Sequence, residues 1–200
     1  MNGSFIEKVL RNPMKALDYI RLVIKGYYYK LKYFIIGKNV EIGKKFLVRS
    51  KLSIRGPGRV KIGDNVYIDG TSHTVTPWTT TKEAEIIIGN NVFLNGSRFS
   101  CAKRIEIGND CIIADCRILD TDFHSINPAR RNDPDFVNSA PVTIGKNVWI
   151  ALGCVIMPGV KIGDNSTISA QSVVYGHVPE YSVYGGNPAR LIKKVPRDSE

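Results

Sequence analysis

From Val142 to Val174 the chain reads VTIGKNVWIALGCVIMPGVKIGDNSTISAQSVV, and Ile144, Ile150, Ile156, Ile162, Ile168 and Val174 recur every six residues. A helix would repeat its apolar positions at three and four residues and a plain strand at two. A beat of six fits short strands joined by tight turns, each hexapeptide forming one side of a coil. Within each unit the aliphatic residue and the smaller one two positions before it share a strand face, as in Val148/Ile150, Cys154/Ile156 and Ser166/Ile168. Three hexapeptides make 18 residues, and Ile144-Gly145 returns at that distance as Ile162-Gly163, which predicts a three-sided coil.

The same Ile-Gly signature stands upstream at Ile36, Ile42, Ile62, Ile88 and Ile107, so most of the chain is expected to form one solenoid. The polar pairs that follow each glycine (GDN, GNN, GND, GKN) supply the turn chemistry of sharp corners. Steps of 20, 26 and 19 residues separate Ile42, Ile62, Ile88 and Ile107, which places small loops at early corners. The next step, to Ile144, is 37 residues, and DTDFHSINPARRNDPDFVNSAP from Asp120 to Pro141 loses the beat altogether. That stretch is a protruding loop, and loops on a rigid scaffold are where function concentrates.

Residues 1–36 have a different grammar. Asn12-Pro13 signals a helix start, with a helix over Met14 to Leu31. Seven basic residues against Glu7 and Asp18 give this segment a net charge of 7 − 2 = +5, interleaved with Tyr27, Tyr28, Tyr29, Tyr33 and Phe34. Two readings fit: a cap over the open first coil, or an interfacial helix on anionic lipid, a peripheral membrane contact. No apolar run is long enough to span a bilayer.

A chain of 200 residues with 43% hydrophobic and 23% charged residues fits one main domain, 37–186, between this segment and a C-terminal cap at 187–200. The formal charge of +10 implies an anionic partner. It is not expected to be nucleic acid, because no reading helix, zinc-finger spacing or stacking strand is present. Cys101, Cys111, Cys116 and Cys154 form no CxxC pair and follow no secretory signal, so reduced thiols and a cytoplasmic setting are expected.

Histidine is confined to His73, His124 and His177, and only His124 lies in the protruding loop, between Asp120 or Asp122 and Ser125. A neutral imidazole suits removal of a proton from a hydroxyl, and a nearby carboxylate can fix its tautomer. A solvated loop histidine is the plain alternative. The loop GTSHTVTPWTTTKEAE holds His73 and Trp78, which fit either a saccharide site or an ordinary surface.

The repeat unit of aliphatic residue, glycine, two polar residues and a small one resembles the hexapeptide-repeat acetyltransferases, similar to the maltose and galactoside O-acetyltransferases and to those of polysaccharide biosynthesis. The resemblance runs from Ile36 to Val195 and is most specific over Val142 to Lys194. It implies an all-β solenoid, a left-handed parallel β-helix, with an N-terminal helical segment and a short C-terminal helix started by Asn187-Pro188. It implies acetyl-CoA as cosubstrate, a saccharide acceptor, no metal, a homotrimer, and direct transfer with His124 as general base. Asn95 then lies close to the acetyl group, and Asp122 orients His124 or meets the acceptor. Trp149, Ala151 and Leu152 line the acetyl end, with backbone N–H groups there as oxyanion donors. Ala170 follows the pantetheine arm, and Arg190 and Lys193 meet the coenzyme phosphates. Tyr175-Gly176 departs from the Thr-Lys often found in similar enzymes. Other readings are transfer to an amino sugar, a γ carbonic anhydrase-like metal enzyme using the three histidines, and a non-catalytic solenoid with the inner membrane face as its partner.

Overall fold

The computed structural model describes residues 13–197, and the Asn12 helix cap lies outside them. Three sheets, parallel except for one C-terminal strand, wrap one core. The first face stacks seven strands, among them Val40–Ile42, Glu85–Ile88, Arg104–Ile107 and Val142–Ile144. The second stacks eight, including Phe93–Asn95, Ile112–Ala114, Trp149–Ile150 and Thr167–Ile168, and the third five, including Thr76–Thr79, Arg98–Cys101 and Arg117–Leu119. Neighbours within each face come from successive coils, and Ile144↔Ile162, Ile150↔Ile168 and Ile156↔Val174 pair at the predicted spacing of 18. All six residues of the opening motif's beat are at most 3% exposed. Burial of side chains of this size contributes about 1.5–3 kcal/mol each.

The corners explain why the repeat is so legible. At Gly63 a Cβ would sit 2.7 Å from the Gly89 carbonyl carbon of the next coil, so only glycine lets the coils stack there. The following residue bonds the neighbouring coil: Asn90 Oδ1 accepts from the Asp64 N–H at 2.8 Å, and Asn109 Oδ1 from the Asn90 N–H at 2.8 Å. The third residue, Asn65, Asn91, Asp110, Asn147 or Asn165, adopts a left-handed φ between 52° and 62°, a conformation that Asn and Asp tolerate.

Helix α1 (Pro13–Ile35) runs one turn beyond the expected Leu31 and lies over the first coil. Leu22, Gly26 and Tyr33 are buried against it. A Cβ on Gly26 would stand 2.0 Å from the Phe46 carbonyl oxygen, so helix and coil touch backbone to backbone. The open edge finds partners in tyrosine hydroxyls. Tyr33 Oη accepts from Ile54 N–H at 2.8 Å and donates to Leu52 O at 3.4 Å, while Tyr29 Oη accepts from Leu52 N–H at 3.2 Å. Asp18 holds Arg49 through two hydrogen bonds of 2.7 and 3.3 Å. The helix therefore caps the solenoid, satisfying an edge that would otherwise carry unpaired backbone groups.

At the other end the expected C-terminal helix is absent. Ala189–Lys194 is a strand, antiparallel to Ser182–Gly186. Gly186, at φ 101°, reverses the chain where other residues would be strained, and the Asn187–Pro188 peptide that follows is cis. Residues 189–194 then complete the second face instead of closing on themselves.

The four cysteines are free and buried in the core. Burial pushes the Cys111 thiol up to about 11. Burial, with the Asp120 carboxylate beside it, raises Cys101 further. These are packing residues.

Candidate active site

The protruding loop leaves the third face at Leu119, at the corner leading to the first face. Its root is Asp120, fully buried, whose carboxylate accepts the backbone N–H groups of Ala102 at 2.6 Å and of Lys103 and Arg104 at 2.7 Å. Two 3-10 turns follow, each capped by its own preceding side chain: Asn127 accepts from Ala129 N–H and Asp133 from Asp135 N–H.

Asp122 is half-buried, and it closes the loop instead of orienting the histidine. Its backbone N–H donates to Asn138 O at 3.0 Å and its carboxylate accepts from Asn138 Nδ2 at 3.0 Å. His124 stands exposed two residues on, with no side-chain hydrogen bond to a described residue. The expected Asp122–His124 pair is thus not formed, because Asp122 is already spent on joining the loop's two ends. Between them Phe123, at φ 62°, turns its ring back onto Trp78 of the third face; the ring centroids are 5.7 Å apart and the planes 19° from parallel.

Asn95 ends its strand on the second face, at the corner shared with the third. The third-face strand Arg98–Cys101 separates this corner from the root of the loop, about 10 Å at 3.3 Å per residue. His124 and Asn95 therefore stand at the two ends of one face. Around Asn95 the early loop has folded in. Ser72 Oγ donates to Asn95 Oδ1 at 2.9 Å, and the Asp115 N–H donates to its backbone oxygen. His73 Nδ1 lies 3.1 Å from Asp115 Oδ1. Sequence reasoning missed this cluster because Ser72 and Asp115 belong to different coils. The repeat itself carries the signal: Asp115 occupies the register position after Ala114, opposite the residue after Asn95.

Down the same corner the register sets Asn95 beside Ala114, with Ala151 continuing the column and Ser169 below it. The Ala151 N–H is used by the ladder, bonded to Ile168 O at 2.9 Å, and so is that of Trp149, to Ser166 O at 3.0 Å. The N–H groups of Leu152 and Ala170 find no acceptor among the described residues. Of the expected oxyanion donors from Trp149 to Leu152, the structure frees Leu152. Trp149 itself projects from the second face, 52% exposed, between Ile112 and Thr167.

Arg190 and Lys193 are opposite Gly185 and Val183, with a bulge between Val183 and Tyr184. Three residues apart on a regular strand, they would point to opposite faces; the extra residue at the bulge returns both to the outer side. Lys193 thereby extends the outward column of Trp149, Thr167 and Val183. Both cations are exposed. The three histidines fall on separate elements, His177 on the first face, and among the described residues no group of three His, Cys, Asp or Glu is gathered to hold a metal.

Residues 141–176 match the family model of bacterial transferase hexapeptides with six repeats. The galactoside O-acetyltransferase of Escherichia coli is 33% identical over 67% of this chain. WcaF of E. coli, provisionally named a colanic acid biosynthesis acetyltransferase, is 31% identical over 67% of this chain and 69% of its own length. The chain spans 61% and 63% of the length of two curated relatives, the galactoside enzyme being the second. A solved galactoside acetyltransferase in complex with coenzyme A superposes with a TM-score of 0.53 at 29% identity, covering 72% of this chain and 66% of that one. The N-acyltransferase AntD of Bacillus cereus shares the fold, with a TM-score of 0.64 at 24% identity over 85% and 90% of the two chains. By its repeats and by its likeness to WcaF, the chain belongs to the hexapeptide-repeat transferase family.

Proposed function

We propose that this chain is an acetyl-CoA-dependent O-acetyltransferase acting on a saccharide, with a left-handed β-helix and a homotrimeric assembly. The supporting observations are the exposed His124 on its protruding loop and the Asn95 corner with the unbonded N–H groups below it, which a site between neighbouring subunits of the trimer would bring together. Relatives named for galactoside and colanic acid acetylation support the substrate class.

The coenzyme fits the edge below Asn95. The unbonded N–H groups of Leu152 and Ala170, one rung apart, suit the amide carbonyls of a pantetheine arm, and Arg190 and Lys193 suit its phosphates. Acetyl-CoA supplies the activated acyl carbonyl. His124 removes the proton from the attacking hydroxyl and passes it to the departing sulfur. The Leu152 N–H is the donor available to a developing oxyanion, and Asn95 holds the acceptor end. The reaction needs no group beyond these side chains and the two substrates.

Transfer to an amine is the second reading, favoured by the fold shared with an N-acyltransferase. Release of CoA measured with paired hydroxy and amino saccharides separates the two. The O-transfer reading expects turnover with the hydroxy sugar and its loss by about 10²–10⁴ in His124→Ala; turnover with the amino sugar alone contradicts it.

Helix α1 carries a second apolar face opposite its packed one. Leu17, Ile20, Ile24, Tyr27, Leu31 and Phe34 follow alternating steps of three and four, and each is exposed. Arg21, Lys25 and Lys32 flank this stripe on one side and Lys30 on the other. The helix's one described acid, Asp18, is held by Arg49. The described helix offers these cations no carboxylate of its own beyond Asp18, and an apolar stripe flanked by cations suits an anionic lipid surface. No described helix is long and apolar enough to cross a membrane. The enzyme would then work in the cytoplasm, resting on the inner face of the membrane.

A further inference from the structure

The outer side of the third face carries a charge pattern that the acyl-transfer reading leaves unused. Arg98 lies beside Thr76 and Arg117 on adjacent strands, and Arg55 bridges to Trp78. Arg49, Arg59, Arg104, Arg130 and Arg197 all pair with carboxylates, whereas Arg55, Arg98 and Arg117 pair with none among the described residues. Arg98 Nε is moreover buried and without a hydrogen-bond partner. Such an orphaned donor is unfavourable, and the cost is recovered when an acceptor arrives.

A groove of about 400 Å³ opens here, lined by Arg55, His73, Thr74, Thr76, Trp78 and Arg98. No carboxylate lines it; Asp115, outside the lining, lies 3.1 Å from His73 Nδ1. The guanidinium groups present planar forks of donors, the geometry that phosphate oxygens match. Trp78 offers a flat apolar wall of the kind that sugar rings stack on, and its partner Phe123 is the residue before His124.

We propose that this groove is the anion subsite of the acceptor: the saccharide arrives as a sugar phosphate or diphosphate, its phosphate held by Arg98 and Arg55 and its ring on Trp78. This rests on the acetyltransferase reading and narrows its substrate class. The same chemistry has a second source, the phosphates of the coenzyme, so the test fills the coenzyme site first.

Inorganic pyrophosphate is titrated calorimetrically into the protein saturated with CoA, for wild type, Arg98→Gln, Arg98→Lys and Arg55→Gln. Wild type is expected to bind, Arg98→Gln and Arg55→Gln to bind at least about tenfold more weakly, and Arg98→Lys to recover part of the loss, with CoA affinity unchanged throughout. No binding by the CoA-loaded wild type, equal binding by Arg98→Gln, or loss of CoA affinity in Arg98→Gln would overturn the proposal. A wild type that fails to bind CoA at all would instead overturn the acetyltransferase reading on which it stands.

Discussion

The ring of Phe123 lies on the ring of Trp78, 5.7 Å between centroids, and ties the loop that carries His124 to the third face of the solenoid. The contact spans different coils, so a residue of an irregular loop takes its position from the regular scaffold. Aromatic pairs of this geometry are worth about 0.5–1.5 kcal/mol beyond the area they bury. Phe123→Ala should therefore lower kcat/KM for the saccharide by about three- to tenfold, by loosening His124. CoA affinity should stay as it was. Equal kinetics in wild type and variant would show that the stack has no part in positioning.

Asp120 makes the strongest structural prediction. Its buried carboxylate satisfies three backbone N–H groups of residues 102–104, and truncation leaves all three without an acceptor. Asp120→Ala should cost about 3 kcal/mol or more in urea unfolding, since each buried orphan costs about 1–3 kcal/mol. Asp122→Ala removes a half-buried contact to Asn138 and should cost under about 1 kcal/mol. The reverse order would misidentify the loop's anchor.

Alkaline pH should destabilise the fold. The Cys111 thiol is pushed up to about 11 by burial, and burial also raises Tyr33 on the packed face of α1. As pH rises from about 9 to 11 the unfolded chain releases the Cys111 proton while the folded chain keeps it, so stability falls over that window. Thermal melts across this range should show a steeper decline for wild type than for Cys111→Ala. Identical slopes would remove the thiol from the explanation.

The solenoid was legible in the sequence because each hexapeptide performs one task at one position. Isoleucine fills the core, glycine admits the next coil and Asn or Asp turns the corner, as Asn91 does at φ 57°. The C-terminus was misread for want of such a period. Asn187-Pro188 suits a helix start as well as a turn, and pairing with Ser182–Gly186, a tertiary contact, decides between them. The role of Asp122 was hidden similarly, because Asn138 lies 16 residues away across the loop. His124 stood out as the loop's one histidine, whereas the cluster of Ser72, His73 and Asp115 around Asn95 appears only when coils of unequal length are stacked.

The outward stripe of α1 predicts binding to vesicles of phosphatidylcholine mixed with phosphatidylglycerol, weakening as salt rises. Ile24→Asp with Leu31→Asp should abolish co-sedimentation while leaving CoA binding intact, because both side chains are exposed. Gly26→Leu, which forces a side chain against the Phe46 carbonyl, should instead lift the helix and lower the melting temperature. Vesicle binding that survives the double substitution would assign the stripe another partner.

The central claim is that an imidazole at position 124 serves a thioester held along the edge from Asn95 to Ala170. The most direct measurement is the crystal structure of the CoA complex, read for the distance between the coenzyme sulfur and the nearest His124 ring nitrogen in the assembly. The account predicts a separation within direct hydrogen-bond reach or bridged by one water, roughly 3–5 Å. A bound coenzyme whose sulfur lies beyond that reach of every His124 would contradict it.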